Sequence, residues 1–212
     1  MSQTLLRRPD RAYRKTAAAK YAANLALARR PDFVARVRAF LVAHHVRVVR
    51  VHTGGEFFSA RYARKWRRIM RRSPRVRFFT YTRAWRVPAI KAVLGDIAGL
   101  PNARVWYSCD RETGLPADIP DRVHIAWLMA DEDDRPPAGS DLVFRVRRLR
   151  SRPASTIGGV PVCPAEDGTA RAARPTCDRC RLCWRRRSGD AGRLPLPLLD
   201  RPPAPGLARR DG

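Results

Sequence analysis

Apolar residues recur at helical spacing twice at the start of the chain: Tyr13, Ala17, Tyr21, Leu25 and Ala28, then, past a Pro31-Asp32 break, Phe33, Val37, Phe40, Leu41 and His44. Two helices are predicted. Residues 47–52 (RVVRVH) follow as a short β-branched run that ends at Thr53-Gly54-Gly55, as a strand does when it enters a turn. Ser59 stands as an N-cap, and Tyr62, Trp66, Ile69 and Met70 share one face of the helix behind it. The alternation repeats: residues 76–82 read as a strand, 88–98 as a helix with proline in its first turn, and 104–109 as a strand, with further strands over 123–130 and 142–146. Strands alternating with helices imply βαβ units and a parallel sheet, whose functional loops gather at the strand C-termini. Five strands cannot close an eight-stranded barrel. The predicted fold is therefore α/β, a partial, open parallel β/α barrel over residues 1–150.

Beyond Arg150 the periodicity fades into RSRPASTIGGVPVCPAEDG and a group of cysteines, which reads as a small module over residues 151–186 fastened by ligands rather than by a core. The last stretch, residues 187–212, is rich in proline and arginine and has no aromatic residue. Too little of it can be buried to offset the entropy of ordering, and a disordered tail is expected. The full length of 212 residues suits one domain with a small addition. No run approaches the roughly 20 apolar residues of a membrane span. The N-terminus has positive charge without the apolar stretch of a signal peptide, so a cytoplasmic protein is expected. Charge changes the picture more. The chain carries +25, and residues 1–86 alone hold 23 basic and 3 acidic side chains, nearly all of the basic ones arginine. Such asymmetry suits a polyanionic partner, since neutralising phosphates releases counterions; the plainer reading is a set of solvated helix faces. On the third helix Arg61, Arg64, Lys65, Arg67, Arg68, Arg71 and Arg72, with Arg75 and Arg77 beyond, could track phosphates. No helix-turn-helix, zinc-finger or RNA-binding aromatic signature accompanies them.

Five cysteines in a cytoplasmic chain point to metal or redox chemistry before disulfides. Cys177, Cys180 and Cys183 have C-x2-C-x2-C spacing, and Cys163 is followed by Pro164. Three thiolates so spaced can wrap one face of a 4Fe-4S cluster, with the remote Cys-Pro as fourth ligand. Zinc competes, because four thiolates also close a tetrahedral site. Arg174, Arg179 and Arg181 would offset the thiolate charge in either case. Cys109, at the end of a predicted strand, is either a fifth group facing the site or a buried thiol with no ligand role. Around the predicted strand ends, His52, Tyr81, Arg83 and Trp85 are either pocket-lining or packing residues, and Asp131-Glu132-Asp133-Asp134 is either a cation site or a solvated turn.

Gly54-Gly55-Glu56 directly after a strand lets backbone approach a ligand closely, although a plain turn uses glycine for the same reason. With VVRVHTGGEFFSARYARKW (48–66), RFFTYTRAW (77–85), NARVWYSCDRETGLPADIP (102–120), the acidic turn after IAWLMA (125–130), DLVFRVRRLR (141–150), VPVCP (160–164) and CDRCRLC (177–183), the chain resembles the actinobacterial and actinophage "gene product 88" family over roughly residues 20–186. That family is itself similar to radical S-adenosylmethionine proteins. The resemblance implies that Gly54, Gly55 and Glu56 contact the amino group of S-adenosylmethionine. Radical S-adenosylmethionine enzymes carry a C-x3-C-x2-C loop near the barrel start, whereas the first cysteine here is Cys109. The expectation is a truncated or catalytically degenerate iron–sulfur protein in which Cys163, Cys177, Cys180 and Cys183 hold an auxiliary cluster, its substrate unspecified. The alternative is a non-enzymatic, zinc-stabilised, nucleic-acid-binding protein.

Overall fold

The computed structural model describes residues 11–151, 154–167, 177–180 and 182–184, and its elements follow the predicted order. The expected tail, together with Arg174 and Arg181, lies outside the described residues. Helices α1 (Arg11–Arg29) and α2 (Phe33–Ala43) open the chain. Lys65 reaches back to close the first of them, donating to the carbonyls of Ala28 and Arg30 at 2.7 Å each. Strand β1 (Val48–Val51) leads through the glycine turn to α3 (Ala60–Arg71), where the Ser59 side chain accepts from the Tyr62 amide at 3.2 Å as an N-cap. Strand β2 (Arg77–Thr82), α4 (Pro88–Ala98) and β3 (Ala103–Asp110) complete two strand–helix–strand units. Asn102 ties α3 to β3: its buried amide donates to the carbonyls of Met70, Ser73 and Val76 at 3.1, 3.0 and 2.9 Å.

Strands β4 (Val123–Met129) and β5 (Leu142–Arg145) extend the sheet, and every neighbouring pair is parallel in the order β1-β2-β3-β4-β5. The alternation of strand and helix stops here. Residues 111–122 and 130–141 cross over as loops, for Gly114, Pro116 and Pro120 in the first, and Asp131, Pro136, Pro137 and Gly139 in the second, break any helical run. The five parallel strands curl into a half-barrel.

A sheet wound in one direction receives its helices on one face. On that outer face Val51, Phe78, Val105, Tyr107 and Ile125 pack with Ile69, Met70, Leu94 and Ile97 of α3 and α4 in the larger core. Because successive strand residues point to opposite faces, the intervening positions line the concave face. Phe79, Trp106, Ala126 and Leu142 form a second cluster there, against Tyr81 and Phe144. No helix of the barrel can cover this face. The chain after β5 does so instead. A two-residue hairpin pair, β6 (Thr156–Ile157) and β7 (Val160–Pro161), precedes a single parallel bridge from Val162 to Val143, and the Cys163 amide donates to the Val143 carbonyl at 2.9 Å. Two short helical turns, α5 (Pro164–Asp167) and α6 (Cys177–Cys180), belong to the same region. Among the described residues no helix is long and apolar enough to cross a membrane.

Candidate metal centre

The bridge to β5 fixes Cys163. With Val162 turned to the larger core, the next side chain falls on the concave face, and Cys163 is buried there among Phe79, Trp106, Ala126 and Leu142. Cys183 is buried in the same cluster, and Cys177 packs at its edge with Leu182 and Trp184. All five cysteines are thiols rather than disulfides. Burial raises the Cys183 thiol to about 12, the neighbouring Cys163, Cys177 and Cys180 push in the same direction, and a hydrogen bond from Tyr81 opposes them. The Tyr81 hydroxyl and the Cys183 sulfur lie 2.8 Å apart. Burial and the two nearest sulfurs, Cys183 ahead of Cys163, hold the Tyr81 hydroxyl well above its ordinary pKa. Among the described residues no three His, Cys, Asp or Glu side chains surround a common point as metal ligands do.

Cations flank this group. The Arg50 guanidinium lies 5.3 Å from the centre of the Tyr81 ring, and that of Arg104 lies 6.0 Å from the Trp184 ring. Arg104 is itself buried. His124 stacks on Trp106 at 4.6 Å on the same face. Sequence periodicity shows which of these positions are inward. It does not reveal that Arg50, Arg104 and His124 pack on Tyr81, Trp184 and Trp106 of the face that holds Cys163 and Cys183, because only the path of the last segment decides that. Cys109 lies in the larger core, on the opposite face of the sheet from Cys163, Cys177 and Cys183, where burial raises its thiol to about 11.

At the C-terminal ends of the strands, carboxylates and arginines link one strand to the next. Glu56 accepts from the Phe57 amide at 2.8 Å, the Thr82 hydroxyl at 2.5 Å and the Arg83 amide at 2.6 Å, which joins the β1 turn to the end of β2. Arg83 pairs with Asp110 at 2.5 Å, and Arg111 pairs with Asp131 at 3.0 Å. The acidic turn is consumed locally. Asp131 accepts from the amides of Asp133 and Asp134, while buried Asp134 accepts from Trp127 Nε1 at 3.0 Å and from the Ala130 amide at 2.9 Å. Trp85 is a packing residue that stacks on Tyr107 and donates to the Ser108 carbonyl.

The glycine turn shows two different needs. Gly55 has φ +104, which favours glycine, and its missing side chain faces open space. Gly54 faces Tyr21 of α1: a Cβ there would stand 2.2 Å from the tyrosine oxygen. His52, just ahead, has φ 64 and places Nε2 3.1 Å from the Tyr62 hydroxyl, between Phe57 and Trp66. On α3 the arginines divide by role. Arg67 approaches Asp96 at 3.6 Å, whereas Arg61, Arg64, Arg68, Arg71, Arg72 and Arg75 are exposed.

Fold and site define an α/β half-barrel protein with cysteines gathered on its concave face. A family profile described as Gene product 88 matches residues 7–186, and the chain belongs to that family. Gene 88 protein of Mycobacterium phage L5 is 30% identical to it over 86 residues, which cover 41% of this chain and 30% of the phage protein. No solved structure matches.

Proposed function

We propose that the protein binds an iron–sulfur cluster through Cys163, Cys177, Cys180 and Cys183. What carries this reading is that Cys163 and Cys183, brought in by different turns of the chain, are buried in one small cluster with Cys177 at its edge. Arg50 and Arg104 stand over the Tyr81 and Trp184 rings that pack in the same cluster, and a four-thiolate centre gains from positive charge in its surroundings. The donor set fits iron–sulfur or zinc chemistry. Because Cys183 is held protonated by its surroundings, metal binding has to displace that proton, and the segment around residues 177–183 has to draw together about one centre. An iron–sulfur cluster would supply electron transfer.

Kinship with radical S-adenosylmethionine enzymes is part of the same proposal, supported by the position of Gly54-Gly55-Glu56 at the end of the first strand of a parallel half-barrel. The chain has no C-x3-C-x2-C among its 212 residues. The role proposed for the cysteines is therefore that of an auxiliary cluster. Anaerobic purification with iron, sulfide and zinc analysis tests it. Iron and sulfide in comparable amounts, lost in Cys163→Ala and Cys180→Ala, are expected. Stoichiometric zinc with no iron after anaerobic reconstitution refutes the cluster.

A second reading, nucleic-acid contact, is favoured by the six exposed arginines of α3 and the turn after it. Phosphate contact needs charge without base-reading geometry, so binding is expected to be sequence-tolerant and to fall steeply with salt. Fluorescence anisotropy with unrelated duplexes and single strands checks this. No binding at low salt, or salt-insensitive binding to one sequence, removes the reading.

A further inference from the structure

We propose that Tyr81 is a positioning residue of the cysteine centre, donating its hydroxyl proton to the Cys183 sulfur and so fixing that ligand and drawing negative charge from it. The inference rests on the metal-binding reading above. Tyr81 lies in β2 on the concave face, one residue before the strand ends, and its oxygen is 2.8 Å from Cys183 Sγ across 102 positions of sequence. Either group can donate while Cys183 is a thiol. Once the sulfur is a thiolate ligand it has no proton, and only the phenol can donate.

The ring is held for that task. Phe144 meets it edge-on at 5.0 Å and Trp106 lies tilted at 5.5 Å, which restricts the direction of the C–O bond. Arg50 stands over the ring at 5.3 Å, where its charge polarises the phenol toward donation. Hydrogen bonds to cluster sulfurs and outer partners of metal ligands tune potential and affinity, respectively. Removing this one should leave the cysteine sulfur more electron-rich, so that the cluster is harder to reduce, and should loosen the metal.

The test uses the full chain, purified anaerobically, with Tyr81→Phe and, as a control on the opposite face, Tyr107→Phe. Metal content of the unsubstituted protein is read first. If it holds no metal, the reading of the cysteines fails and this inference falls with it. If it holds metal, Tyr81→Phe is expected to weaken retention against a competing chelator by about tenfold or more and, for a bound cluster, to shift the reduction potential to more negative values. Tyr107→Phe should do neither. Phenylalanine keeps the ring, so a packing role alone would leave both readings unchanged, and that result overturns the inference while the metal site stands. Replacing Tyr81 with 3-fluorotyrosine, a stronger donor, gives the opposite arm: the potential should move to more positive values, and a shift in the same direction as Tyr81→Phe refutes donation to sulfur.

Discussion

His52 follows β1 with φ 64, a left-handed conformation that asparagine accepts more readily than most residues. Packed between Phe57, Tyr62 and Trp66, its imidazole loses hydration, and burial lowers its pKa from 6.5 to about 4. The unfolded chain therefore takes up a proton before the folded one does. Stability contributed by the neutral ring is present at neutral pH, falls as pH drops below 6.5 and levels off below about 4. At about 1.4 kcal/mol per pH unit the ceiling is about 3 kcal/mol, reduced by the partial exposure of the ring. Denaturant unfolding at pH 7 and pH 4 should show His52→Asn losing less stability on acidification than the unsubstituted protein. Equal losses would show that the ring already titrates as if in water. Two residues on, Gly54 answers to a neighbour rather than to its backbone. Gly54→Ala should cost at most about 1 kcal/mol, because the tip of the Tyr21 side chain must move aside, and less still in a Tyr21→Ala background. A cost that is the same in both backgrounds would mean that α1 does not press on this turn.

Between β1 and β2 the connection depends on one carboxylate. Glu56 holds Thr82 and the Arg83 amide, so its oxygens are already engaged where the family resemblance would place the amino group of S-adenosylmethionine. A ligand must compete with those bonds. Binding is expected to be millimolar at best, about −4 kcal/mol, and Glu56→Ala should destabilise the fold by about 2 kcal/mol, because three donors, two of them on β2 and the residue after it, lose their acceptor. Calorimetric titration and urea unfolding check the pair. Micromolar affinity that vanishes in Glu56→Ala, or deoxyadenosine formed by this chain under reducing conditions, would show that the turn opens to a ligand. The elements themselves are legible from sequence because their causes are local: a β-branched run makes β1, alternating aromatic and threonine residues make β2, Ser59 caps α3, and Pro88 opens α4. The helix-free crossovers after β3 and β4 are marked locally by their glycines and prolines, whereas the parallel pairing they serve is long-range and has no local signal. Glu56 was legible as a residue of interest, but its partners lie 26 and 27 positions away and have no sequence signal.

At the scale of the whole molecule the half-barrel leaves one face of its sheet without helices, and the segment carrying Cys163 and Cys183 covers it. Two cysteines of the expected 151–186 module, Cys163 and Cys183, are buried in the sheet's second core. Their docking is not legible in the sequence, because spacing describes ligands and not where the ligands sit. It also sets an expectation about stability. The outer face is held by a large apolar core that needs no metal, whereas among the described residues of the cover over the concave face the side chains buried against it include Cys163 and Cys183. If metal completes that cover, its removal should act locally. Hydrogen exchange on metal-loaded and chelator-treated protein is expected to show lost protection for residues 160–163 and 177–184 and for the inward positions of β2 to β5, with α3 and α4 nearly unchanged. Such a pattern follows because a ligand that binds only the closed cover stabilises the part that opens, by an amount set by its affinity. Uniform loss across the helices as well would mean that the two faces unfold as one unit, and no change at all would mean that the cysteines cover the sheet by packing alone.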